Sequence, residues 1–416
     1  MRSLLACSTI ILLLAFGDGK HTQIVRYHFD SEEVATRFAT SVQGLLNLEA
    51  DFTLSHDSPG EHFVEMLVSK RELTKIERIF HQNVPTVVVG DVERLIDGYL
   101  NSVQETYPKL ARVITIGNST EGRPINVVQI GLPRQSAKPV IWVDGLIHAR
   151  EWPSAQIAMG FVDKLLRIYE TGSSEDNSLI IELDWVIAPV LNPDGYVFSF
   201  ESGRDTRRRF WRKNRSQVVC RYNPAYRKRR CCKGVDLNRN FDFFWGDTSI
   251  SSDNPCFSNY HGPSVFSEPE AQAIRDYFVP RLHKITAAVS FHTYGQHWLL
   301  PYGHDATAYP DNIAEQRALA NEAVDKLFSL YDTNYTVSTG PELRETKPLW
   351  YLVAGTLADW ATSKGVPFAH AVELSPQTSE YSLSGFVVDR KSLPRMIEET
   401  FAAVEVIAHY VKRKYR

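Results

Sequence analysis

The sequence predicts an α/β protein built on one large β-sheet covered by helices on both faces and preceded by a smaller α+β unit. The 416 residues, 43% of them apolar, suffice for two or three domains. From Asp91 onward, short apolar runs rich in β-branched residues alternate with segments of helical periodicity. Before residue 90, strand-like and helix-like stretches follow in the order βαββαβ, which is the split ferredoxin-like pattern.

Residues 1–19 have the features of a secretory signal peptide. Arg2 supplies a positive charge, residues 4–16 are apolar, and the small residues Gly17 and Gly19 follow. The apolar run is too short to span a bilayer comfortably, and no later segment is long enough. We therefore expect a secreted, extracellular protein without a membrane span. The alternative is that these residues form an N-terminal core strand or helix.

Residues 20–89 form the predicted smaller unit. Strands are expected at 24–29, 50–55, 62–69 and 86–89, with one helix beginning at Ser31 and a second at 70–82. A turn at 57–60 separates the two middle strands. This part of the sequence contains no cluster of catalytic groups, so it indicates a folding or masking domain.

Residues 91–416 carry the predicted large sheet. Strands are expected at 125–130, 140–143, 184–190, 285–291 and 367–373, and helices at 91–107, 153–170 and 395–411. Because the strands alternate with helices, both faces of the sheet should be covered.

Charge and cysteine content narrow the function classes. The net charge of −3, with basic and acidic residues mixed along the chain, does not indicate a nucleic acid partner. Once Cys7 is lost with the signal, an even number of cysteines remains, which favours disulfides in a secreted protein. These are Cys220, Cys231, Cys232 and Cys256. Three pairings are open, and a zinc site formed by these cysteines is the rival interpretation. Glycosylation sequons occur at Asn118, Asn214 and Asn334.

The first chemical motif is Gly145-Leu-Ile-His-Ala-Arg-Glu-Trp152, between the apolar run 138–144 and a helix that starts near Pro153. His148 and Glu151 therefore lie on the turn from a strand to a helix, where α/β proteins commonly carry their functional residues. An imidazole and a carboxylate three residues apart can bind one cation, and zinc accepts both. The pair alone is a weak signal, because His-x-x-Glu is frequent by chance.

Three further residues complete a candidate site. His292 follows the apolar run 285–291, and together with His148 and Glu151 it would form a His₂Glu set, which is typical of catalytic zinc. Asp236 could orient one ligand imidazole from behind. Glu373 closes a buried strand, so it either pairs with a cation or performs proton chemistry near the metal.

Eight segments occur in order along the chain: Thr120-Glu-Gly-Arg-Pro124, His148-Ala-Arg-Glu-Trp152, Leu191-Asn-Pro-Asp-Gly195, Phe210-Trp-Arg-Lys213, Asp236-Leu-Asn-Arg-Asn240, Ser290-Phe-His292, 351–360 and Glu373. Together they resemble secreted zinc carboxypeptidases of the carboxypeptidase A/B type, from about residue 91 to the end. The resemblance extends more loosely to the preceding prodomain. It implies a mixed central β-sheet with helices on both faces for the catalytic domain, residues 91–416, and a ferredoxin-like prodomain at 20–89.

The resemblance also implies a role for each matching residue. One zinc ion would be bound by His148, Glu151 and His292, a ligand set for which carboxypeptidase A is itself a standard example. Glu373 would be the general base acting on the zinc-bound water, and Arg212 would stabilise the oxyanion. The terminal carboxylate of a peptide or protein substrate would be held by Asn238, Arg239 and Tyr351, and Arg150 would assist in substrate binding. Without the resemblance, the arginines would be interpreted as surface cations and Tyr351 as a core aromatic residue.

In this family one position after the tyrosine separates the two substrate types, because it is acidic in enzymes that prefer Lys or Arg. Here the position is Ala358, so the resemblance implies an apolar C-terminal residue in the substrate, either aliphatic or aromatic. The same comparison gives further lining residues Leu299, Gly303, Val353, Thr356 and Ala371. Thr356 and Trp350 would narrow the pocket.

The resemblance further implies a disulfide between Cys232 and Cys256. Cys220 and Cys231 bracket an additional basic loop, 221–230, and would pair with each other. That loop would be either solvated or a binding surface for an acidic partner. No Lys or Arg lies between Arg78 and Arg94, where a basic activation site would be expected in a zymogen.

We expect a monomer that is masked by its own prodomain. Two rival functions remain: a catalytically silent relative that binds peptide ends, and a zinc deacylase that acts on small acyl amides. The full ligand set with Glu373 argues against the first, and Asn238, Arg239 and Tyr351 argue against the second.

Overall fold

The computed structural model describes residues 92–200, 206–223, 227–344, 352–377 and 383–415, together with four strands before residue 90. These strands are β1 Gln23–Phe29, β2 Phe52–Ser55, β3 His62–Val68 and β4 Thr86–Val89. They form an antiparallel sheet in the order β2-β3-β1-β4. In this order β3 lies between β1 and β2, and β1 lies between β3 and β4, as the βαββαβ pattern requires. The signal segment 1–19 and the two helices expected between these strands lie outside the described residues.

Ten further strands follow: β5 Ala111–Asn118, β6 Pro124–Ile130, β7 Val140–Asp144, β8 Asp184–Ala188, β9 Val218–Asn223, β10 Lys228–Lys233, β11 Ile285–Thr293, β12 His297–Leu300, β13 Thr336–Thr339 and β14 Phe368–Leu374. All except β9 and β10 join one sheet in the order β13-β12-β14-β11-β7-β8-β6-β5. Strands β7, β8, β11 and β14 run parallel, whereas β5, β6 and β12 pair with antiparallel neighbours. The sheet is therefore mixed, as expected.

The helices of the described residues are α1 Val92–Thr106, α2 Trp152–Thr171, α3 Ser174–Ile181, α4 Pro193–Phe200, α5 Thr206–Arg209, α6 Pro269–Phe278, α7 Ile313–Tyr331, α8 Gly340–Arg344, α9 Leu357–Ser363 and α10 Leu393–Lys414. No helix in this part of the chain combines the length and apolar character needed to cross a membrane. The chain falls into two compact units, Met1–Ser102 with Val197–Arg209, and Val103–Tyr196 with Phe210–Arg416. The second unit contains the eight-stranded sheet and every described residue of the candidate site.

The side chains of the central strands alternate between the two faces of the sheet, and apolar side chains are buried on both faces. On one face, Phe161 of α2 packs against Phe291 of β11 and Phe401 of α10. On the other face, Trp142 of β7 packs against Phe278 of α6. Strands β7 and β11 are buried along their whole length because helices cover both sides. The predicted fold class is confirmed.

The parallel strands also determine where functional residues meet. Strands β7, β11 and β14 all end at the same edge of the sheet. His148 follows the end of β7, while His292 and Glu373 are direct neighbours across β11 and β14. His292 is the last residue but one of β11, so the strand extends two residues beyond the predicted end at 291. Side chains distant in sequence therefore meet at one edge.

The basic segment expected as a loop is instead a β-hairpin, formed by the antiparallel strands β9 and β10. Cys220 and Cys231 are direct cross-strand partners and form a disulfide. The second expected disulfide, between Cys232 and Cys256, is also present. Both pairings are as predicted, and the rival zinc site formed by these cysteines is wrong.

Burial excludes glycosylation of the folded chain at one of the three candidate asparagines. The Asn214 side chain is completely buried, and its Nδ2 donates to Glu268 Oε2 at 2.6 Å and to Glu270 Oε2 at 3.0 Å. A glycan on that nitrogen would break both bonds and would not fit. Asn118 and Asn334 are exposed, so both remain candidates.

The buried His370 on β14 makes stability depend on pH. Its Nδ1 accepts from Trp298 Nε1 at 3.1 Å, and its Nε2 donates to Gln316 Oε1 at 3.2 Å, so the ring is fully bonded when neutral. Burial lowers the pKa of His370 from 6.5 to about 3. When the pH falls below 6.5, His370 therefore becomes protonated in the unfolded chain but stays neutral in the folded chain. The free energy of unfolding decreases as the pH falls below that value.

We expect wild-type protein to lose about 2 kcal/mol more of its free energy of unfolding than His370→Asn when the pH is lowered from 7.5 to 5. The asparagine retains an acceptor for Trp298 but does not titrate. Urea unfolding of both proteins at the two pH values measures the difference. An equal loss in both proteins would show that His370 is not responsible.

Candidate metal centre and catalytic site

Three buried side chains from distant parts of the chain converge on one point. Candidate ligand atoms of His148, Glu151 and His292 all lie within 4.8 Å of one another. His148 Nδ1 is 2.9 Å from Glu151 Oε1, His292 Nδ1 is 3.0 Å from Glu151 Oε2, and the two Nδ1 atoms are 3.1 Å apart. The structure thus brings together the three residues that the sequence analysis assigned to the metal.

The loop that carries His148 and Glu151 is held by short-range hydrogen bonds. Ser154 Oγ donates to the Glu151 carbonyl at 2.7 Å and accepts from the Leu146 amide at 2.8 Å. A Cβ at Gly145 would lie 2.5 Å from the Ser154 carbonyl oxygen, so only glycine allows this close approach. The loop therefore presents both side chains in fixed positions at the start of α2.

Asp236 orients the first imidazole. Its Oδ1 lies 3.1 Å from His148 Nε2 and accepts the hydrogen of that nitrogen. The other ring nitrogen, Nδ1, then presents its lone pair to the common point. Asp236 Oδ2 accepts from Arg212 Nε at 3.0 Å. The contact expected between Asp236 and a ligand imidazole is present, and such contacts are typical of metal sites.

The charges of the site act strongly on one another. Burial by itself raises the pKa of Glu151, but His148 and His292 hold it well below its usual range. Burial likewise opposes ionisation of Asp236, but Arg212, followed by His148 and Arg239, holds its pKa well below the ordinary value. Burial lowers the pKa of His148, and Arg212 lowers it further. Both carboxylates are thus anionic at neutral pH, as metal binding requires.

Glu373 lies beside this centre in a different electrostatic environment. Burial raises the pKa of Glu373 to about 7, Glu151 adds to the increase, and His292 and Arg212 oppose it. Its Oε2 is buried and has no hydrogen-bond partner among the described residues. A carboxyl group poised near neutrality with a free oxygen can exchange a proton with a substrate or a water.

Three arginines line the same region. Arg212 Nη1 lies 3.7 Å from Glu151 Oε1, and the Arg150 guanidinium lies 4.4 Å from the centre of the Phe386 ring. Arg239 donates from Nη1 to the Asn238 carbonyl at 2.7 Å, while its Nε is buried and has no partner among the described residues. A buried guanidinium nitrogen without an acceptor is suited to an anionic ligand.

Asn238 is already partly engaged. Its Oδ1 accepts from the Leu357 amide at 2.9 Å, which leaves Nδ2 as the group that faces the site. The remaining residue assigned to carboxylate binding, Tyr351, lies outside the described residues, as does Trp350.

The expected specificity pocket is lined by small and apolar groups. Ala358 is half-buried on α9, and Thr356 is the N-cap of that helix. A Cβ at Gly303 would lie 2.4 Å from Val353 Cγ2, so the two residues are in close contact. The sequence analysis did not identify Asp359, whose Oδ2 accepts from the Gly303 amide at 3.0 Å. Burial raises the pKa of Asp359 to about 6. Asp359 lies within the segment 351–360, and its position there gave no separate signal.

The donor set fits a zinc ion. Two imidazole nitrogens and a carboxylate face one point, and the Thr293 amide, which donates to Glu151 Oε2 at 3.3 Å, helps to hold the carboxylate there. Zinc prefers this combination of nitrogen and oxygen ligands, and three protein ligands are typical of catalytic rather than structural zinc. The site therefore combines a candidate metal centre with a neighbouring carboxyl group of raised pKa and several cations.

Comparisons with known proteins identify relatives of this chain. A family model described as zinc carboxypeptidase matches residues 96–403. Carboxypeptidase B of Astacus astacus is 34% identical over 321 residues, which is 77% of this chain and 96% of that protein. Carboxypeptidase A2 of Mus musculus is 37% identical over 305 residues, covering 73% of this chain and 66% of that protein. A solved structure of bovine thrombin-activatable fibrinolysis inhibitor in complex with tick carboxypeptidase inhibitor has a TM-score of 0.65 at 29% identity, covering 77% of this chain and 97% of that one.

Proposed function

The chain belongs to the zinc carboxypeptidase family and is a metallocarboxypeptidase that hydrolyses peptides at their C-terminus with zinc, and we propose that it releases apolar C-terminal residues. The observation that carries this proposal is the convergence of His148, Glu151 and His292 beside Glu373. We assign the three converging residues to the zinc ion and Glu373 to proton transfer.

Glu373 performs the acid–base work in this proposal. A zinc ion held by His148, Glu151 and His292 would supply Lewis acidity, which lowers the pKa of a water to about 7. Glu373 takes the proton of the attacking water through its free Oε2 and returns it to the nitrogen of the leaving residue. A pKa of about 7 suits both steps, since the group accepts and donates a proton near neutral pH.

The arginines hold charge in this proposal. The carbonyl oxygen becomes negative when water adds, and Arg212 stabilises it, because Asp236 fixes the guanidinium through Nε next to the metal ligand Glu151. Arg239 binds the terminal carboxylate, together with Asn238 Nδ2 and Tyr351, and Arg150 contacts the substrate next to the scissile bond. A guanidinium matches a carboxylate in a bidentate manner, which restricts cleavage to chain ends.

The substrate's C-terminal side chain enters the pocket at Ala358. Because Ala358 carries no charge and Asp359 is engaged by the Gly303 amide, we propose an aliphatic or aromatic preference, and the contact between Val353 and Gly303 favours the smaller side chains. The names of the relatives include both A and B types, so they do not decide between the preferences.

Ala358→Asp is expected to shift the preference toward basic residues. The ratio of kcat/KM for a C-terminal Arg to that for a C-terminal Leu should rise about 10- to 100-fold, because a charged hydrogen bond contributes about 1.5–3 kcal/mol. Ala358→Asn, of nearly the same size but uncharged, is the matched control. An equal shift in both variants would exclude charge as the cause.

We further propose that residues 1–19 are a signal peptide, that 20–89 are a prodomain that masks the enzyme, and that 91–416 form the catalytic domain of a secreted monomer. The charged and apolar pattern of the first residues, the split four-stranded sheet and the two disulfides support this organisation. Since no Lys or Arg lies between Arg78 and Arg94, activation within this segment would use a protease that does not cut after Lys or Arg.

A panel of N-blocked dipeptides ending in Phe, Leu, Arg or Glu tests the proposed function. The secreted full-length protein is assayed before and after limited proteolysis, with and without a zinc chelator. We expect chelator-sensitive release of free Leu or Phe. Release of Arg or Glu alone would contradict the apolar preference. Zinc binding without any release would indicate a silent relative, and cleavage only of acyl amides without a terminal carboxylate would indicate a deacylase.

A further inference from the structure

The two imidazoles of the proposed zinc site are supported differently. His148 donates from Nε2 directly to the Asp236 carboxylate at 3.1 Å. Among the described residues, none places a carboxylate in direct contact with His292 Nε2. The nearest polar groups to His292 Nε2 are Asn238 Nδ2 at 3.3 Å and Ser290 Oγ at 3.4 Å. A different group must therefore accept the Nε2 hydrogen of His292 if its Nδ1 lone pair is to face the metal site.

Strand geometry places a buried polar row behind His292. Ser290 and His292 are two residues apart on β11, so they lie on the same face, and Ser290 is paired in register with Asp144 of β7. Ser290 Oγ donates to Asp144 Oδ1 at 2.7 Å, and Trp142 Nε1 donates to Asp144 Oδ2 at 2.7 Å. Asp144 is completely inaccessible, and Ser290 is 4% exposed.

The hydrogen atoms in this row have one consistent arrangement. When His292 Nδ1 binds a cation, Nε2 carries the hydrogen and needs an acceptor. Asn238 cannot supply one, because its Oδ1 is bonded to the Leu357 amide and its NH₂ group faces the ring. Ser290 can, because its own hydrogen is directed to Asp144 and its lone pairs remain for Nε2.

We propose that Asp144 and Ser290 are positioning residues that hold His292 in the metal-binding tautomer, with Asp144 acting through the Ser290 hydroxyl. The inference rests on the proposed zinc site. In this arrangement the Ser290 hydroxyl links His292 to the Asp144 carboxylate, whereas His148 contacts the Asp236 carboxylate directly.

Two substitutions distinguish this role from simple packing. Ser290→Ala removes the acceptor, and we expect the dissociation constant for zinc to rise about 10- to 100-fold, as for other groups that orient a metal ligand. Asp144→Asn reverses the direction of these hydrogen bonds. The amide oxygen accepts from Trp142 Nε1, so the amide NH₂ group donates to Ser290 Oγ. The Ser290 hydroxyl then donates to His292 Nε2. That places a hydrogen on Nδ1, where zinc would bind, so this variant should bind zinc more weakly than Ser290→Ala.

The double variant is the decisive measurement. With Ser290 replaced by alanine there is no hydroxyl to turn, so Asp144→Asn combined with Ser290→Ala should bind zinc as tightly as Ser290→Ala alone. Two independent packing defects would instead add. Zinc dissociation constants are measured on the full-length protein by chelator competition without substrate, and Ser290→Thr, which keeps the hydroxyl, should restore tight binding.

Thr286→Val is the matched control, because Thr286 Oγ1 donates to the Val140 carbonyl at 3.2 Å between the same two strands but away from the site. Its zinc dissociation constant should be unchanged. Thermal unfolding of the metal-free variants shows whether each is folded, and if Asp144→Asn does not fold, the contrast between Ser290→Ala and Ser290→Thr decides. Wild-type zinc affinity in Ser290→Ala, or additive losses in the double variant, would overturn this inference. Absence of zinc binding in the wild type would overturn the proposed function.

Discussion

Glu373→Gln is expected to lower kcat/KM for peptide hydrolysis by about 10²- to 10⁴-fold, the usual contribution of a general acid–base group. The amide keeps the size of the side chain but can no longer accept and return a proton. Because Glu373 is not one of the three converging ligands, the variant should still hold one zinc ion per chain. The measurement is steady-state hydrolysis of a blocked dipeptide ending in Leu, together with the zinc content of the dialysed protein.

Glu405→Gln is the matched control for this experiment. Burial also raises the pKa of Glu405, which lies on α10. Its replacement should leave kcat/KM unchanged. A Glu373→Gln protein with zinc bound and most of the wild-type rate would exclude Glu373 as the proton-transfer group.

Glu151→Gln is expected to abolish both zinc binding and hydrolysis. Glu151 is the one negatively charged group of the three, and His148 and His292 keep its pKa far below the usual range. The neutral amide of glutamine keeps one oxygen but replaces the other with an NH₂ group. The variant therefore loses the negative charge and one of the two oxygen atoms that could bind zinc. Hydrolysis should fall to the rate of chelator-treated wild type.

The comparison between the two glutamate variants separates binding from chemistry. Atomic emission after dialysis should find zinc in Glu373→Gln and none in Glu151→Gln, while circular dichroism shows both to be folded. Full zinc occupancy of Glu151→Gln would mean that the ligand set is wrong, whatever its activity.

The sequence predicted the strands that build the site and missed those at the edge. Strands β7, β11 and β14 are short, mostly apolar runs, and such runs are recognised in the sequence without any structure. By contrast, β12 and β13 have four residues each, too few to establish a period. They become strands because β12 finds partners on both sides, β13 and β14. The hairpin β9–β10 was expected as a loop because Cys220 and Cys231 bracket a strongly basic segment that is additional to the family pattern.

The sequence by itself determined the kind of protein: residue chemistry indicated a zinc site formed by two histidines and a glutamate, and the resemblance of eight ordered segments to a known family implied a zinc carboxypeptidase. What only the tertiary structure decided is which atoms of these residues face one another. It directs both Nδ1 atoms to Glu151, leaves a free oxygen on Glu373, buries Asn214 and aligns Asp144 with Ser290. The reason is the range of the interactions. Periodicity and capping depend on neighbours within a few residues, whereas a 3.0 Å contact between groups 141 residues apart depends on the register of the whole sheet.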